Sequence, residues 1–212
     1  MLFHVLNRAA KRTVLFDSAN DYRAFERLLD EAVRRHRIAI FAYCIMPNHW
    51  HFVLTPRTDG SMSRFMHWLT TTHARRWQDA RGLTGLGAVY QGRFKAIPIG
   101  DDDHFRWVCR YVERNPLRAS LVTRAEEWPW SSLGVGNRSW LTDWPKPPEW
   151  LSHVNTPQTD AELEHFRHAL RNGIPFGNSE WQQDIMRTMR GGGLLRPRGR
   201  PRRHVAATVL EK

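Results

Sequence analysis

Cysteine is scarce in this chain, with only two among 212 residues. Cys44 and Cys109 each lie within an apolar segment, which favours two reduced thiols in the core over a disulfide. Two thiols are also too few for a zinc site of the four-cysteine type. Reduced thiols of this kind are expected of a cytosolic protein.

Long apolar runs are absent as well. No segment approaches the ~18 apolar residues of a membrane-spanning helix, and the N-terminus lacks the apolar stretch of a secretory signal peptide. Hydrophobic residues still make up 41% of the chain and include ten tryptophans, which is enough for a sizeable core. We therefore expect a cytoplasmic protein with no membrane partner.

Acidic residues are outnumbered, 21 against 32 lysines and arginines, which leaves a net charge of +11. Such an excess is typical of proteins that bind a polyanion, although a soluble basic protein without that partner can have the same composition. Residues 191–212 hold six basic and one acidic residue, and thus +5 of the total. The remaining +6 is enough for a second basic face, so nucleic acid is the expected partner.

Two histidines flank a tryptophan in the segment Met46–Leu54, which reads MPNHWHFVL. Because side chains alternate along a strand, His49 and His51 are expected on one face and Trp50 in the core. Two neighbouring imidazoles on a rigid strand can bind a divalent metal from a fixed direction. A histidine pair exposed on an edge strand is the alternative, and the motif taken alone favours it.

A tyrosine and an asparagine stand four residues apart in the segment Asp101–Pro116. Its leading aspartates suit a helix start, and Pro116 suits the helix end. At this spacing Tyr111 and Asn115 share one helix face. Packed on the histidine strand, this helix would place a nucleophile beside a third metal ligand.

These segments resemble the single-tyrosine HUH transposases, and among them the REP-associated tyrosine transposases of bacteria. The resemblance rests on MPNHWH at 46–51 and YVERNP at 111–116, and it is supported by NR at 7–8, QGRFK at 91–95 and WPWSS at 128–132. The five motifs follow the order of the family. They imply a ferredoxin-like α+β domain over residues 1–133.

The resemblance also implies a chemistry. Tyr111 would attack a DNA phosphodiester and form a 5′-phosphotyrosine, so strand transfer would need no nucleotide cofactor. His49, His51 and Asn115 would hold a divalent metal, Mn²⁺ or Mg²⁺, that polarises the phosphate. The substrate would be single-stranded or hairpin repeat DNA, and the enzyme a nucleoid-associated monomer or homodimer.

Hydrophobic periodicity predicts the order β-α-β-β-α-β-α, which is typical of an antiparallel sheet packed with helices. Asn20 or Asp21 is the predicted cap of the first helix. The predicted strands are 3–6, 38–45, 49–54 and 89–99, the first of them short, and the predicted helices are 22–36, 62–80 and the tyrosine helix.

Beyond residue 133 the composition changes. Residues 134–158 are rich in proline and turn formers and are interpreted as a connector along the surface. Residues 159–190 contain two predicted helices, a small extension that docks on the main domain or on DNA. Three glycines then open a flexible basic tail, residues 191–212.

This tail resembles an AT-hook, because it contains PRGRP with flanking arginines. Arginine is attracted to the negative potential of a narrow minor groove, although a solvated tail that binds phosphates without preference explains the sequence equally well. Two further cations precede the tyrosine helix and are expected to alternate on one strand face, where they could contact DNA phosphate, although a solvated strand face explains them equally well. The candidate DNA-binding residues are Arg196, Arg198, Arg200, Arg202 and Arg203 in the tail, and Arg93 and Lys95 before the helix.

Three function classes fit these residues. The first is a DNA-strand transferase, and the second is a metal-dependent phosphodiesterase in which water attacks and Tyr111 only positions the DNA. The third is a domesticated repeat-binding protein without catalysis, which the intact metal and tyrosine motifs argue against. Glu113 lies near the expected metal ligands and could tune the metal or a proton, but the simplest interpretation is a glutamate exposed on the helix surface.

Overall fold

A four-stranded antiparallel sheet forms the centre of the molecule. The computed structural model describes residues 1–134, 136 and 138–191. Its strands are Leu2–Arg8 (β1), Ile38–Met46 (β2), His49–Pro56 (β3) and Lys95–Ile99 (β4), and the helices that link them are Ala19–His36 (α1) and Ser61–Asp79 (α2). The strand order is β2-β3-β1-β4. Order and connections are those of a ferredoxin-like fold and confirm the α+β prediction.

Five further α-helices follow in the described part of the chain. They are Asp102–Glu113 (α3), Asn115–Arg118 (α4), Trp150–Asn155 (α5), Asp160–Asn172 (α6) and Ser179–Gly191 (α7). One core lies between the sheet and the pair α1 and α2. A second core lies on the opposite face, where α3 packs on the sheet and α5 and α6 pack beside it. The sheet is thus covered on both faces.

Alternation along β3 separates these two cores, as the sequence predicts. Trp50 and Phe52 point toward α1 and α2 and are fully buried. Val53 points to the opposite face, where it packs with residues of α3. His49 and His51 share that second face because side chains two residues apart lie on the same side of a strand.

Side-chain oxygens cap the first turns of α1 and α3. Asp101 caps α3, as predicted, by accepting a hydrogen bond from the backbone of His104. The cap of α1 is Ser18 rather than Asn20 or Asp21, and Asp21 instead completes a capping box with it. The predicted cap was wrong by a few residues because Ser18 and Asp21 hold each other's backbone amides. Such a cap stabilises a helix by about 1 kcal/mol.

Two strands differ in length from the predictions. β1 is not short, since it spans the seven residues Leu2–Arg8. β4 begins at Lys95 instead of at residue 89, and Tyr90 forms only an isolated bridge with Ala9. The chain bends at Gly92, a residue that offers no side chain to pack and weakens a strand.

Residues 134–158 are more than a surface connector. They contain α5, and Trp144, Trp150 and Val154 are buried in the second core. Leu141 forms a bridge with Ile40 of β2. The prediction gave too much weight to prolines and too little to two tryptophans, whose large apolar surfaces stabilise a fold when they are buried.

Glu113 is buried, not an exposed helix residue. Its carboxylate accepts a hydrogen bond of 2.7 Å from Ser132 Oγ and one of 2.8 Å from Trp150 Nε1. Burial raises the pKa of this carboxyl. Trp128, from the same WPWSS motif as Ser132, donates its indole N–H to the Ile45 carbonyl (2.9 Å). Glu113 therefore anchors this motif on the tyrosine helix.

A buried hydrogen-bonded chain lies in the first core. Trp50 Nε1 donates to the Tyr90 hydroxyl at 3.2 Å, and that hydroxyl lies 2.7 Å from Nδ1 of His73. Because an indole can only donate, the hydroxyl accepts from Trp50. Among the described residues the only acceptor for the tyrosine proton is then His73 Nδ1, so the imidazole proton resides on Nε2. Burial lowers the pKa of His73 to about 3.

We expect acid to destabilise the protein through His73. Its pKa falls from 6.5 in the unfolded chain to about 3 in the fold, so between these values the unfolded state binds the extra proton. The free energy of unfolding should drop by up to about 1.4 kcal/mol per pH unit below pH 6.5 and not change through this group above it. Urea unfolding of wild type and His73→Gln at pH 7 and pH 5 measures the effect. The variant should lose less stability on acidification, and equal losses would contradict the assignment.

Three further predictions concern composition and the tail. Cys44 and Cys109 are buried and unpaired, as predicted. No helix among the described residues is long and apolar enough to cross a membrane. The tail beyond residue 191, with its five candidate arginines, lies outside the described residues, and its AT-hook interpretation stays a prediction.

Candidate active site

The two histidines of β3 each use one ring nitrogen within the protein. His49 Nδ1 lies 2.6 Å from Asn48 Oδ1, and His51 Nδ1 lies 2.9 Å from Nε2 of His4 on β1. An amide oxygen only accepts, so His49 carries its proton on Nδ1. Neither Nε2 has a hydrogen-bond partner among the described residues, and neither nitrogen is buried away from solvent. Two solvent-accessible imidazole nitrogens therefore lie side by side.

Both imidazoles are neutral at physiological pH. Burial, followed by the nearby guanidinium groups of Arg8 and Arg118, lowers the pKa of His49 to about 4. Burial likewise holds the pKa of His51 well below its usual value. Because only a neutral imidazole binds a metal, the site is ready for a cation without first losing a proton.

The tyrosine lies against this pair. Its ring centroid on α3 is 6.1 Å from that of His51. Phe166 of α6 packs on it at 4.6 Å and Trp107 at 5.8 Å, which leaves Tyr111 only 7% exposed. The Tyr111 hydroxyl has no hydrogen-bond partner among the described residues. It is therefore the free polar end of an otherwise enclosed side chain.

Arg118 of α4 joins the tyrosine to the asparagine. Its guanidinium carbon lies 4.2 Å from the centroid of the Tyr111 ring, and its Nη2 donates to Asn115 Oδ1 at 2.6 Å. No carboxylate among the described residues forms an ion pair with it. Asn115 lies just past the end of α3 rather than within it, but Arg118 holds it near Tyr111.

The donor set suits a divalent transition metal. His49 and His51 offer neutral imidazole nitrogens, and Asn115 offers an amide oxygen that keeps a second lone pair beside Arg118. Among the described residues no three histidine, cysteine or acidic side chains cluster closely enough to hold a metal. The three candidate donors form a mixed nitrogen and oxygen set, which suits Mn²⁺.

A basic pocket of about 310 Å³ opens at the neighbouring end of the sheet. Arg8 stands opposite His49 in the β1–β3 register, and Asn7 donates to the backbone of the QGRFK motif at 3.3 Å. Two sequence motifs thus meet beside the histidines. The pocket is lined by Leu6, Asn7, Arg8, Gln91, Gly92, Arg93 and Lys95.

Arg93 and Lys95 do line one site, but not as alternate residues of a strand. Lys95 is the first residue of β4, whereas Arg93 lies in the bend before it. The strand prediction for Arg93 was wrong because β4 starts later than the apolar pattern suggests. Both cations nevertheless line the pocket beside Arg8.

The sequence interpretation missed two residues of this site. His4 alternates with Phe3 and Val5 in an apolar strand, and a histidine in such a pattern is a detectable signal. Its partner is set by the β1–β3 register, which the sequence alone does not reveal. Arg118 follows Asn115 by three residues, the spacing at which helical side chains meet, and was equally detectable.

Residues 1–115 match the family model described as IS200-like transposase. The chain belongs to this family. The matched residues include both histidines of β3, Tyr111 and Asn115, and they exclude α5, α6 and α7. The chain is thus a transposase, an enzyme that acts on DNA, and the resemblance drawn from its five motifs is confirmed.

The relatives of this transposase carry a narrower name. The REP-associated tyrosine transposase of Escherichia coli (strain K12) is 23% identical over 149 residues, 67% of this chain and 82% of the relative. A Haemophilus influenzae relative is 24% identical over 139 residues, 62% of this chain and 77% of the relative. A solved REP-associated tyrosine transposase bound to a REP hairpin matches with a TM-score of 0.51 at 21% identity, covering 62% of this chain and 74% of that one. The structural match supports the fold.

Proposed function

We propose that this transposase cleaves and rejoins single-stranded or hairpin DNA through a covalent 5′-phosphotyrosine. The observation that carries the proposal is the Tyr111 hydroxyl, which is free of hydrogen bonds while its ring lies 6.1 Å from that of His51. This hydroxyl is not sealed from solvent, so a phosphate can reach it, whereas the Tyr43 hydroxyl is engaged by Glu26 at 2.7 Å.

The proposed cleavage step exchanges one phosphodiester bond for another. Tyr111 Oη attacks phosphorus and loses its proton to solvent, and the bond from phosphorus to the 3′ oxygen breaks. The departing 3′ oxygen takes up a proton and becomes a hydroxyl, while the 5′ phosphate stays on the tyrosine. Attack by a 3′ hydroxyl on this ester reverses the step and rejoins the strand. One tyrosine therefore serves both directions.

The remaining side chains position the phosphate. His49, His51 and Asn115 would hold a divalent cation, which supplies charge neutralisation and polarises the scissile phosphate. Arg118 brings a guanidinium without a carboxylate partner to the Tyr111 ring, where it can contact a phosphate oxygen. A neutral phenol is a weak nucleophile, so this concentration of positive charge lowers the barrier as the phenolate forms.

DNA is the proposed partner on two grounds. The basic pocket places Arg8, Arg93 and Lys95 beside the histidine face, where they can bind the backbone of a strand that crosses the site. The solved relative that shares this fold is bound to a REP hairpin. A strand that leaves the tyrosine along β1 would pass these cations.

One observation favours the phosphodiesterase alternative. Tyr111 is only 7% exposed and Phe166 packs on its ring at 4.6 Å, an environment that restricts its attack on a bulky substrate. In that alternative a water molecule attacks the phosphate and the tyrosine only positions it. Both products would then be released from the protein.

Labelled oligonucleotides separate the two mechanisms. The full chain is incubated with Mn²⁺ and a hairpin oligonucleotide that carries its label on the 3′ side of the cleaved bond. Strand transfer predicts a labelled protein band that survives SDS and disappears after protease treatment, and a 5′ label should be released on a fragment with a 3′ hydroxyl. Cleavage with both labels free of protein would overturn the transferase proposal.

A further inference from the structure

We propose that His4 is a positioning residue that fixes the tautomer of His51 and so keeps His51 Nε2 available to a metal ion. The inference rests on the proposed metal-assisted function, but it concerns a residue outside the predicted ligand set. His4 lies on β1, and its Nε2 is 2.9 Å from Nδ1 of His51.

Strand register brings the two rings together. Leu6 is directly opposite His51, and His4 is opposite Val53, so His4 is a diagonal neighbour of His51 on the same face of the sheet. Diagonal neighbours in an antiparallel pair lie within reach of aromatic side chains. The two imidazoles are nearly parallel, at 4° between their planes, with ring centroids 5.1 Å apart. The contact is thus held by the backbone of two adjacent strands.

The direction of this hydrogen bond decides what His51 can do. When His51 Nδ1–H donates to His4, the lone pair of His51 Nε2 is free to bind a cation. When His4 donates instead, the neutral His51 carries its proton on Nε2 and cannot bind. Outer hydrogen bonds of this kind commonly fix metal-binding histidines, and Asn48 already does so for His49 at 2.6 Å. His4 gives His51 the same support.

Burial shows that His4 is not there for packing alone. The side chain is fully buried, and its Nδ1 has no hydrogen-bond partner among the described residues. An apolar side chain would fill this space beside Phe166 without leaving a polar nitrogen unsatisfied. The same two facts argue against His4 as a ligand, since Nε2 is engaged by His51 and Nδ1 is sealed from solvent. In the supporting role Nε2 accepts from His51 Nδ1–H, and Nδ1 carries the ring proton of His4.

The test compares two substitutions at position 4 in the full chain without DNA. His4→Phe keeps the size of the ring and removes the acceptor, whereas His4→Gln supplies an amide oxygen near the position of Nε2. Isothermal titration with Mn²⁺ should show affinity about 10- to 100-fold weaker for His4→Phe, the usual loss for such a partner. His4→Gln should stay near wild type. His73→Phe is the matched control. It removes a buried histidine from the first core, on the opposite face of the sheet, and should leave Mn²⁺ affinity unchanged.

A second readout needs no metal. Long-range ¹H–¹⁵N spectra of the imidazoles should show His51 protonated on Nδ1 in wild type and in His4→Gln, and a mixture of tautomers in His4→Phe. Wild type with His51 protonated on Nε2, or equal Mn²⁺ affinity for His4→Phe and wild type, would overturn the inference. Failure of the proposed strand transfer would give a different result. No covalent DNA adduct would form, while the tautomer and the Mn²⁺ affinities of the position 4 variants would still be as expected.

Discussion

Replacing Tyr111 with phenylalanine is expected to abolish the covalent protein–DNA adduct and to lower strand cleavage by more than about 10⁴-fold, the scale seen when a catalytic nucleophile is removed. Phenylalanine keeps the ring that packs on Phe166 and lies under Arg118, so the fold and the shape of the site should persist. Only the hydroxyl oxygen, the proposed nucleophile, is lost. The measurement is SDS-resistant labelling of the protein by a hairpin oligonucleotide.

The chain offers a matched control for this substitution. Tyr43 is buried and its hydroxyl donates to Glu26, on the other face of the sheet, so Tyr43→Phe removes the same atom from a site without chemistry. Adduct formation should survive there, with some loss of stability. An adduct in Tyr111→Phe would show that another nucleophile acts. Loss of the adduct with undiminished cleavage would support the attack of water instead.

The histidine face could be predicted from sequence because it depends on local geometry alone. Strand alternation has a period of two, so HWH puts Trp50 in the core and His49 and His51 on the opposite face whatever the rest of the fold does. The start of the tyrosine helix was predictable for the same reason, since the Asp101 side chain caps it by accepting a hydrogen bond from the His104 backbone, three residues away. Both predictions needed only neighbouring residues.

The contacts that were missed depend on segments far apart in the chain. His4 meets His51 only through the register of β1 on β3, and Glu113 is buried only because Ser132 and Trp150 return to it. Hydrophobic periodicity describes one segment at a time and does not show which distant segments pair. A buried glutamate and an exposed one look alike in a helical pattern, and the difference appears only when the partner segment is known.

Histidine substitution is expected to have the second largest effect. His49→Ala and His51→Ala should each lower Mn²⁺-dependent cleavage by at least about 100-fold, more than the loss of an outer partner, because each removes one ligand of the proposed three-donor set. The two residues lie on the face of β3 that packs toward α3, and their side chains take no part in the backbone hydrogen bonds of the sheet. Folding, measured by circular dichroism, should therefore be retained.

DNA affinity separates this metal role from a general loss of substrate binding. Phosphate contacts from cations such as Arg8, Arg93 and Lys95 dominate affinity, so both histidine variants should bind the hairpin at nearly wild-type strength in EDTA while failing to cleave it in Mn²⁺. His67→Ala is the matched control, since His67 is exposed on α2, and its cleavage should equal that of wild type. Cleavage by His49→Ala at the wild-type rate in EDTA would exclude a metal ion from the reaction. Weak cleavage that recovers as Mn²⁺ is raised would instead identify the lost group as a ligand, because a lower affinity for the ion is overcome by its concentration.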